Sequence, residues 1–157
     1  MWFSKKQAVP PTAPKSVVND PGARDTSTKS KGDRAESAAQ AYLEKAGLKL
    51  VRRNFKTPGR GGGEIDLIMR EPDGTLVFVE VRSRSSAQHG GAAASVGWVK
   101  QRRIVLAARH FLLQLGSEPP CRFDVVLVQA APVPTQAPGW APHVEWLRAA
   151  FDTSAAF

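Results

Sequence analysis

The sequence is poor in cysteine and in long apolar runs, and both absences limit what the protein can be. Its 157 residues include one cysteine, Cys121, so no disulfide can form within the chain, which fits a reducing compartment. Residues 1–6 lack the apolar core of a signal peptide, and the longest apolar segment, residues 104–115, is interrupted by Arg109 and His110. We therefore expect a cytoplasmic protein that does not cross a membrane.

Negative charge is also scarce. The chain has 14 Asp and Glu against 22 Lys and Arg, which gives a net charge of +8 and a pI near 10.2. A surplus of this size favours a polyanionic partner. Nucleic acid is the leading candidate, DNA more than RNA, and an anionic membrane surface is the weaker one.

The N-terminal segment has almost nothing to bury. Residues 1–31 contain Pro10, Pro11, Pro14 and Pro21 among Ser, Thr, Lys and Asn, so burial cannot offset the entropy lost on ordering. We expect a disordered tail that is either inert or makes weak electrostatic contact with nucleic acid. Residues 32–157 are enough for one domain and too few for two of ordinary size.

Hydrophobic periodicity predicts two helices and five strands. The first helix is expected to begin at Asp33, whose side chain can cap it, and to end at Gly47, and the second to cover residues 98–115. Strands are expected at residues 48–55, 64–70, 75–84, 123–129 and 144–148, with residues 85–97 and 130–142 as connections. This order predicts an α/β sandwich in which a central mixed sheet of about five strands is flanked by helices.

Two of the predicted strands carry acids among apolar residues and are joined by a short turn. Pro72-Asp73-Gly74 suits a three-residue loop, with Gly74 in the left-handed conformation. Centring the loop on Asp73 places Asp66 opposite Glu80 and Glu64 opposite Arg82, and the two-residue period puts all four side chains on one face. Two opposed carboxylates repel each other unless something positive lies between them.

A divalent cation is one such positive group. Asp and Glu supply hard oxygen ligands, which suit Mg²⁺ or Mn²⁺ better than zinc. In phosphodiester cleavage such an ion neutralises charge in the transition state and lowers the pKa of the attacking water. Arg82, on the same face as Glu80, could orient the water or stabilise the developing negative charge.

The motifs then resemble a known group of proteins. Asp, a gap and Glu-x-Lys form the signature of the restriction-endonuclease-like, or PD-(D/E)xK, nucleases. Within that superfamily the chain resembles the bacterial YraN-like uncharacterised family, which is similar to archaeal Holliday-junction resolvases. The resemblance covers residues 32–151 and rests on Gly32-x-x-x-Glu36, Tyr42-Leu43, Arg53-Asn54-Phe55, the segments 63–68 and 78–84, Lys100-Gln101-Arg102-Arg103, the segment 122–126, and Ala150-Phe151.

This resemblance implies a restriction-endonuclease-like fold and a Mg²⁺- or Mn²⁺-dependent nuclease that cuts DNA, with branched or structured DNA as the candidate substrate, as in repair and recombination. It implies that Glu36, Asp66 and Glu80 bind the metal and that position 82 is the catalytic base position. Here position 82 is arginine, which stays protonated and cannot accept a proton. A nucleic-acid-binding protein with little or no catalysis is therefore the alternative. Symmetric cutting of a junction would require a twofold homodimer.

Basic residues near the motifs are candidates for phosphate contacts. We assign this role to Arg60, Arg84, Lys100, Arg102 and Arg103, with a plain solvated face as the competing interpretation.

Each candidate acid also has a structural alternative. Glu36 follows Asp33 at the spacing of a capping box, and Asp66 with Glu80 could belong to a network with Glu64, Arg82 and Arg84. The glycines at 61–63 indicate a flexible loop more than a phosphate cradle, because a strand follows them. Asp124 is expected to be structural, with a partner from elsewhere because Arg122 is taken to point to the opposite face. His89, His110 and His143 share no ligand spacing, and Cys121 has no nearby partner to activate it.

Overall fold

A computed structural model describes residues 23–84, 96–129 and 141–153. Two helices, α1 (Ala23–Lys45) and α2 (Trp98–Leu115), accompany five strands: β1 (Lys49–Lys56), β2 (Glu64–Arg70), β3 (Leu76–Arg84), β4 (Cys121–Gln129) and β5 (Val144–Phe151). No helix in these ranges is long and apolar enough to cross a membrane. Of the predicted connections at 85–97 and 130–142, residues 85–95, which include His89, and residues 130–140 lie outside the described residues.

The five strands form one mixed sheet in the order β1-β2-β3-β4-β5. β3 and β4 are parallel along their whole length, from Leu76–Cys121 to Arg84–Gln129, and the other pairs are antiparallel. A parallel pair needs a crossover connection, and α2 lies between these two strands in the chain. The predicted α/β sandwich with a mixed five-stranded sheet is therefore confirmed, and it is consistent with a restriction-endonuclease-like fold.

The sheet is covered on both faces, which explains why β3 and β4 have apolar residues on both of their faces. On one face Val77 and Val79 pack with Ala39 and Leu43 of α1. On the other face Leu76, Phe78 and Phe123 pack with residues of α2, including Ile104 and Phe111. A central strand buried on both faces loses the usual alternation of polar and apolar residues.

The first helix begins at Ala23 and not at Asp33, so this expectation was wrong. Asp33 lies inside α1, where its backbone oxygen accepts a hydrogen bond from Ser37 Oγ at 2.8 Å. Extending a formed helix costs much less than nucleating one, so a polar segment with no apolar stripe can continue α1 toward the N-terminus. The expected tail boundary at residue 31 falls within α1, and residues 1–22 lie outside the described residues.

The turn between β2 and β3 matches its prediction. Gly74 N–H donates to the Glu71 carbonyl at 3.0 Å, and Gly74 has φ of 94°. Asp73 Oδ1 accepts the Thr75 N–H at 2.9 Å. The predicted register is confirmed from Arg70–Leu76 to Leu67–Val79.

Asp124 fixes the edge strand β5. Its buried carboxylate accepts hydrogen bonds from Arg122 Nε at 3.0 and 3.1 Å, from Trp146 Nε1 at 2.8 Å and from Ala149 N–H at 2.9 Å. The structural role agrees with the prediction. The expectation that Arg122 points away was wrong, because residues two apart on a strand share a face.

Gly63 brings the start of β2 against the backbone of α2. A Cβ at this position would overlap the Arg103 carbonyl oxygen and lie 3.1 Å from the Ala107 Cβ. The residue is buried, and its N–H donates to Thr57 Oγ1 at 2.7 Å. The glycine-rich loop is therefore closed at its base by Thr57 and packed against α2 at Gly63.

We predict that Gly63→Ala destabilises the protein by about 1–3 kcal/mol or more, because neither backbone can move away cheaply. Gly32→Ala is the matched control, since a Cβ at this position in α1 meets nothing within 4 Å. This control should stabilise the protein by up to about 1 kcal/mol. Urea unfolding followed by circular dichroism measures both changes, and equal effects of the two substitutions would contradict the prediction.

Candidate active site

The β2–β3 ladder ends one residue before the predicted Asp66–Glu80 pair. Its last pair is Leu67–Val79, and beyond it Asp66 Oδ2 accepts the Val81 N–H at 2.7 Å. The side chain of Asp66 therefore occupies the place of a strand carbonyl. The carboxyl groups of Asp66 and Glu80 are near enough for repulsion from Glu80 to raise the pKa of Asp66.

Both β1 and β2 change face at this point. Phe55 and Ile65 pack in the core on the α2 side, whereas Leu67 packs on the α1 side. Asn54 lies between two strand pairs, Arg53–Leu67 and Phe55–Ile65, so it faces Asp66, and it adopts φ of 48°. The left-handed residue breaks the alternation of β1, which Asn tolerates better than most residues.

This break gives Asp66 neighbours on both sides of the sheet. Charge repulsion from Glu80, which faces α2, raises the pKa of Asp66. Asp66 in turn raises the pKa of Glu36 on α1 by the same kind of repulsion. Glu64 instead pairs with Lys56 of β1, with Oε1 and Nζ 3.2 Å apart. The expectations that Glu64 opposes Arg82 and that all four side chains share one face were therefore wrong.

The acids occupy an unfavourable environment as anions. Burial, followed by repulsion from Glu80, raises the pKa of Asp66 from 3.8 to about 7, against the Val81 N–H and Lys100, which lower it. Burial likewise raises the pKa of Glu80, and burial followed by repulsion from Asp66 raises that of Glu36. Without a further cation the Asp66–Glu80 pair holds a proton near neutral pH.

A lysine from the other layer supplies positive charge. Lys100 Nζ, on the first turns of α2, lies 3.2 Å from Glu80 Oε2. The Glu80 residue is only 9% exposed, so this ion pair joins a half-exposed ammonium to a buried carboxylate. Arg82 follows Glu80 by two residues, on the same side of β3.

Two acids of the site, Glu36 and Glu80, each have an oxygen that lacks a hydrogen bond. Among the described residues, the buried side-chain atoms with no hydrogen-bond partner are Glu36 Oε2, Glu80 Oε2 and Gln40 Oε1. Lys100 and Arg53 approach Glu80 and Glu36 at 3.2 and 3.7 Å, but as ion pairs and not as directed hydrogen bonds. Buried oxygens without partners are destabilising unless a cation or a donor reaches them.

The donor set fits Mg²⁺ or Mn²⁺ better than zinc. Over residues 23–84, 96–129 and 141–153, no three Asp, Glu, His or Cys side chains stand close enough together to hold a metal ion by themselves. Mg²⁺ commonly takes only one or two protein carboxylates and completes its shell with water and phosphate oxygens. Asp66 and Glu80 meet that requirement, and Glu36 lies near enough to influence the charge of Asp66.

The capping-box interpretation of Glu36 was wrong, because Glu36 lies well inside α1. Asn54 and Arg53 lower the pKa of its carboxyl group, and Arg53 Nη2 lies 3.7 Å from Glu36 Oε2. Sequence reasoning gave no role to Asn54 or to Gln40, which is one helical turn after Glu36. An asparagine within a strand and the four-residue spacing were the available signals for these two residues.

The five basic candidates are not gathered in one place. Lys100 contacts the acidic pair, whereas Arg84 pairs with Glu145 at 2.8 Å and Arg102 lies over the Trp98 ring at 5.7 Å. Arg103 and Arg60 are exposed, and Gly63 brings the loop that carries Arg60 against the backbone of Arg103. The histidines described here stay outside the site, with His110 bonded to Gln114 at 3.2 Å.

Comparison with known proteins identifies relatives along the whole chain. Residues 35–128 match the model of "Uncharacterised protein family UPF0102". The chain belongs to the UPF0102 family. A UPF0102 protein of Polaromonas naphthalenivorans (strain CJ2) is 62% identical over 156 residues, 98% of this chain and 100% of that protein. One from Paracidovorax citrulli (strain AAC00-1) is 58% identical over 130 residues, 83% of this chain and 88% of its own length.

Membership of the UPF0102 family confirms the family resemblance expected from the motifs. The matched range contains the residues of the acidic site, namely Glu36, Asp66, Glu80 and Lys100, and it ends before β5. Because the family is described as uncharacterised, membership assigns no activity to this chain.

The raised pKa of Asp66 makes stability depend on pH in a specific direction. The pKa of Asp66 is about 7 in the folded protein and 3.8 for an ordinary aspartate, which represents the unfolded chain. Between these two pH values the folded protein therefore binds a proton that the unfolded chain has lost. Without divalent ions the free energy of unfolding should therefore fall as the pH rises from about 4 to above 7, by an amount on the order of a few kcal/mol.

We predict that Asp66→Asn weakens this dependence and is more stable than the wild type at pH 8. Asparagine resembles the protonated acid and can still accept the Val81 N–H. Thermal unfolding in EDTA between pH 5 and 8.5 measures the difference, and the histidines cancel because both proteins contain them. Parallel pH curves for the two proteins would contradict the prediction.

Proposed function

We propose that the protein is a nuclease that uses Mg²⁺ or Mn²⁺ to cleave phosphodiester bonds in DNA. The observation that carries this proposal is the pair of half-buried Asp66 and buried Glu80, whose carboxyl groups repel each other and include an oxygen, Glu80 Oε2, without a hydrogen-bond partner. A site that is destabilised as two free anions and has Lys100 beside it is suited to a small hard cation and to the anionic phosphate that accompanies it.

Each residue of the acidic site has its own role in this proposal. Asp66 and Glu80 would hold the cation, with Glu36 adding negative charge from α1 and Asn54 orienting Glu36. The cation would neutralise charge on the phosphate and activate the attacking water. The Val81 N–H fixes the Asp66 carboxylate at 2.7 Å, so the ligand is oriented before substrate arrives.

Charge around the site favours an approaching nucleic acid. Helix α2 has no acidic residue and carries Lys100, Arg102, Arg103 and Arg109. The packing of Gly63 against α2 places the Arg60 loop beside this helix. A basic helix next to an acidic pocket can hold a strand by its phosphates while one phosphate enters the pocket.

We expect that incubation with labelled junction, flap, single-stranded and duplex DNA in Mg²⁺ or Mn²⁺ yields cleavage that EDTA abolishes. Glu80→Gln should lower the rate by at least about 100-fold, since it removes a charge that would bind the ion. Glu64→Gln is the matched control, because Glu64 pairs with Lys56 outside the acidic pair. The nuclease proposal fails if Glu80→Gln cuts as fast as the wild type.

Arginine at position 82 favours a second candidate function, a nucleic-acid-binding protein without effective catalysis. This function predicts DNA binding that weakens steeply with salt and no metal-dependent cleavage. Arg82→Lys is the discriminating change: cleavage that appears only in this variant would support the second function. Cleavage by the wild type would exclude it.

A further inference from the structure

We propose that Lys100, on helix α2, supplies the lysine ammonium beside the acidic pair. In the superfamily signature this lysine is at position 82 on the strand. The proposal rests on the proposed nuclease function and adds to it a residue from a different layer of the fold. Its basis is the 3.2 Å approach of Lys100 Nζ to Glu80 Oε2.

Lys100 acts on both acids of the pair. It is the largest of the influences that lower the pKa of Glu80, ahead of Arg82, and it also lowers the pKa of Asp66. An ordinary surface ion pair would concern one carboxylate and contribute little. A single ammonium that opposes the repulsion between two carboxylates is part of the site and not only of the surface.

Packing fixes where this lysine lies. The Gln101 side chain donates to the Val96 carbonyl at 2.7 Å, and Gln101 N–H donates to the Gly97 carbonyl at 3.0 Å, so the start of α2 is tied to the residues before it. One turn further along, α2 rests on Gly63. The first turns of α2 are therefore held against the strand that carries Asp66.

The side chain is also accessible to a substrate. The Lys100 side chain is 41% exposed, whereas that of Glu80 is 11% exposed, so the ammonium lies on the solvent side of the carboxylate. A compact ammonium with three donors can contact a non-bridging phosphate oxygen or the attacking water as a point charge, whereas the guanidinium of Arg82 presents a broad, planar fork.

A divalent ion at the pair and Lys100 would compete for Glu80. Removing the lysine should therefore strengthen metal binding while it weakens cleavage, and these opposite signs separate a role in the site from a structural one. The test compares wild type, Lys100→Met, Arg82→Lys, the double variant Lys100→Met/Arg82→Lys, and Lys56→Met. Lys56→Met is the matched control, because it removes the same charge from a Lys–Glu pair of the same 3.2 Å length.

Calorimetric titration of the DNA-free proteins with Mn²⁺ is expected to show Lys100→Met binding about three- to tenfold more tightly than wild type. Cleavage of the wild type's best DNA substrate at saturating Mn²⁺ should fall about 100-fold or more in Lys100→Met. Lys56→Met should stay within about twofold of wild type in both assays. The double variant should recover a substantial part of the lost cleavage, since it returns a lysine to the pocket from β3.

Unchanged or weaker Mn²⁺ binding in Lys100→Met would overturn the assignment, and so would cleavage within about twofold of an active wild type. If the wild type cuts no substrate, the nuclease function fails, and the assignment of Lys100 then depends on the Mn²⁺ titration alone. Circular dichroism of Lys100→Met at the assay temperature verifies that the fold is retained.

Discussion

The hydrogen bond from Val81 N–H to the Asp66 carboxylate determines the form of the site. It takes the place of a backbone pair at the point where β2 and β3 separate, so the ladder stops at Leu67–Val79 without leaving that amide unsatisfied. Beyond the end of the ladder, the Asp66 and Glu80 side chains lie together. Because the group that ends the ladder is itself an acid, one residue both shapes the site and adds an acidic group to it.

Each layer of the sandwich contributes to this site. Helix α1 brings Glu36, β1 brings Asn54, β3 brings Glu80, and α2 brings Lys100. The parallel β3–β4 ladder, buried on both faces, provides a rigid base for Glu80. Residues held by the packing of regular elements are positioned more accurately than residues on loops, which suits a site that has to orient small charged groups.

Much of this architecture follows from local sequence signals. The turn residues Pro72, Asp73 and Gly74 determine the hairpin register, and apolar runs bounded by turns give the ends of the strands and of α2 to within three residues. The face change at Asn54 and Asp66 could not be predicted from the sequence. The two-residue period of side chains holds only for a regular strand, and the left-handed Asn54 interrupts that period. Hydrophobic periodicity also fails to predict the start of α1, because a helix can extend through residues that form no apolar stripe.

Lys100 could not be connected with Glu80 from the chain alone. Residues of one strand are related by a fixed period, whereas the position of a helix over a sheet depends on close contacts such as that of Gly63 with Arg103. A motif search along β3 therefore finds arginine at position 82 and indicates a weakened site. The folded protein has a lysine beside the same acid, supplied from α2. A departure from the linear motif at position 82 therefore does not mean that the site has no lysine. The buried acids and the ammonium depend on each other: the pair is too close to exist as two free anions, and the lysine offsets only part of their repulsion. The remaining imbalance is what would favour the binding of a divalent ion.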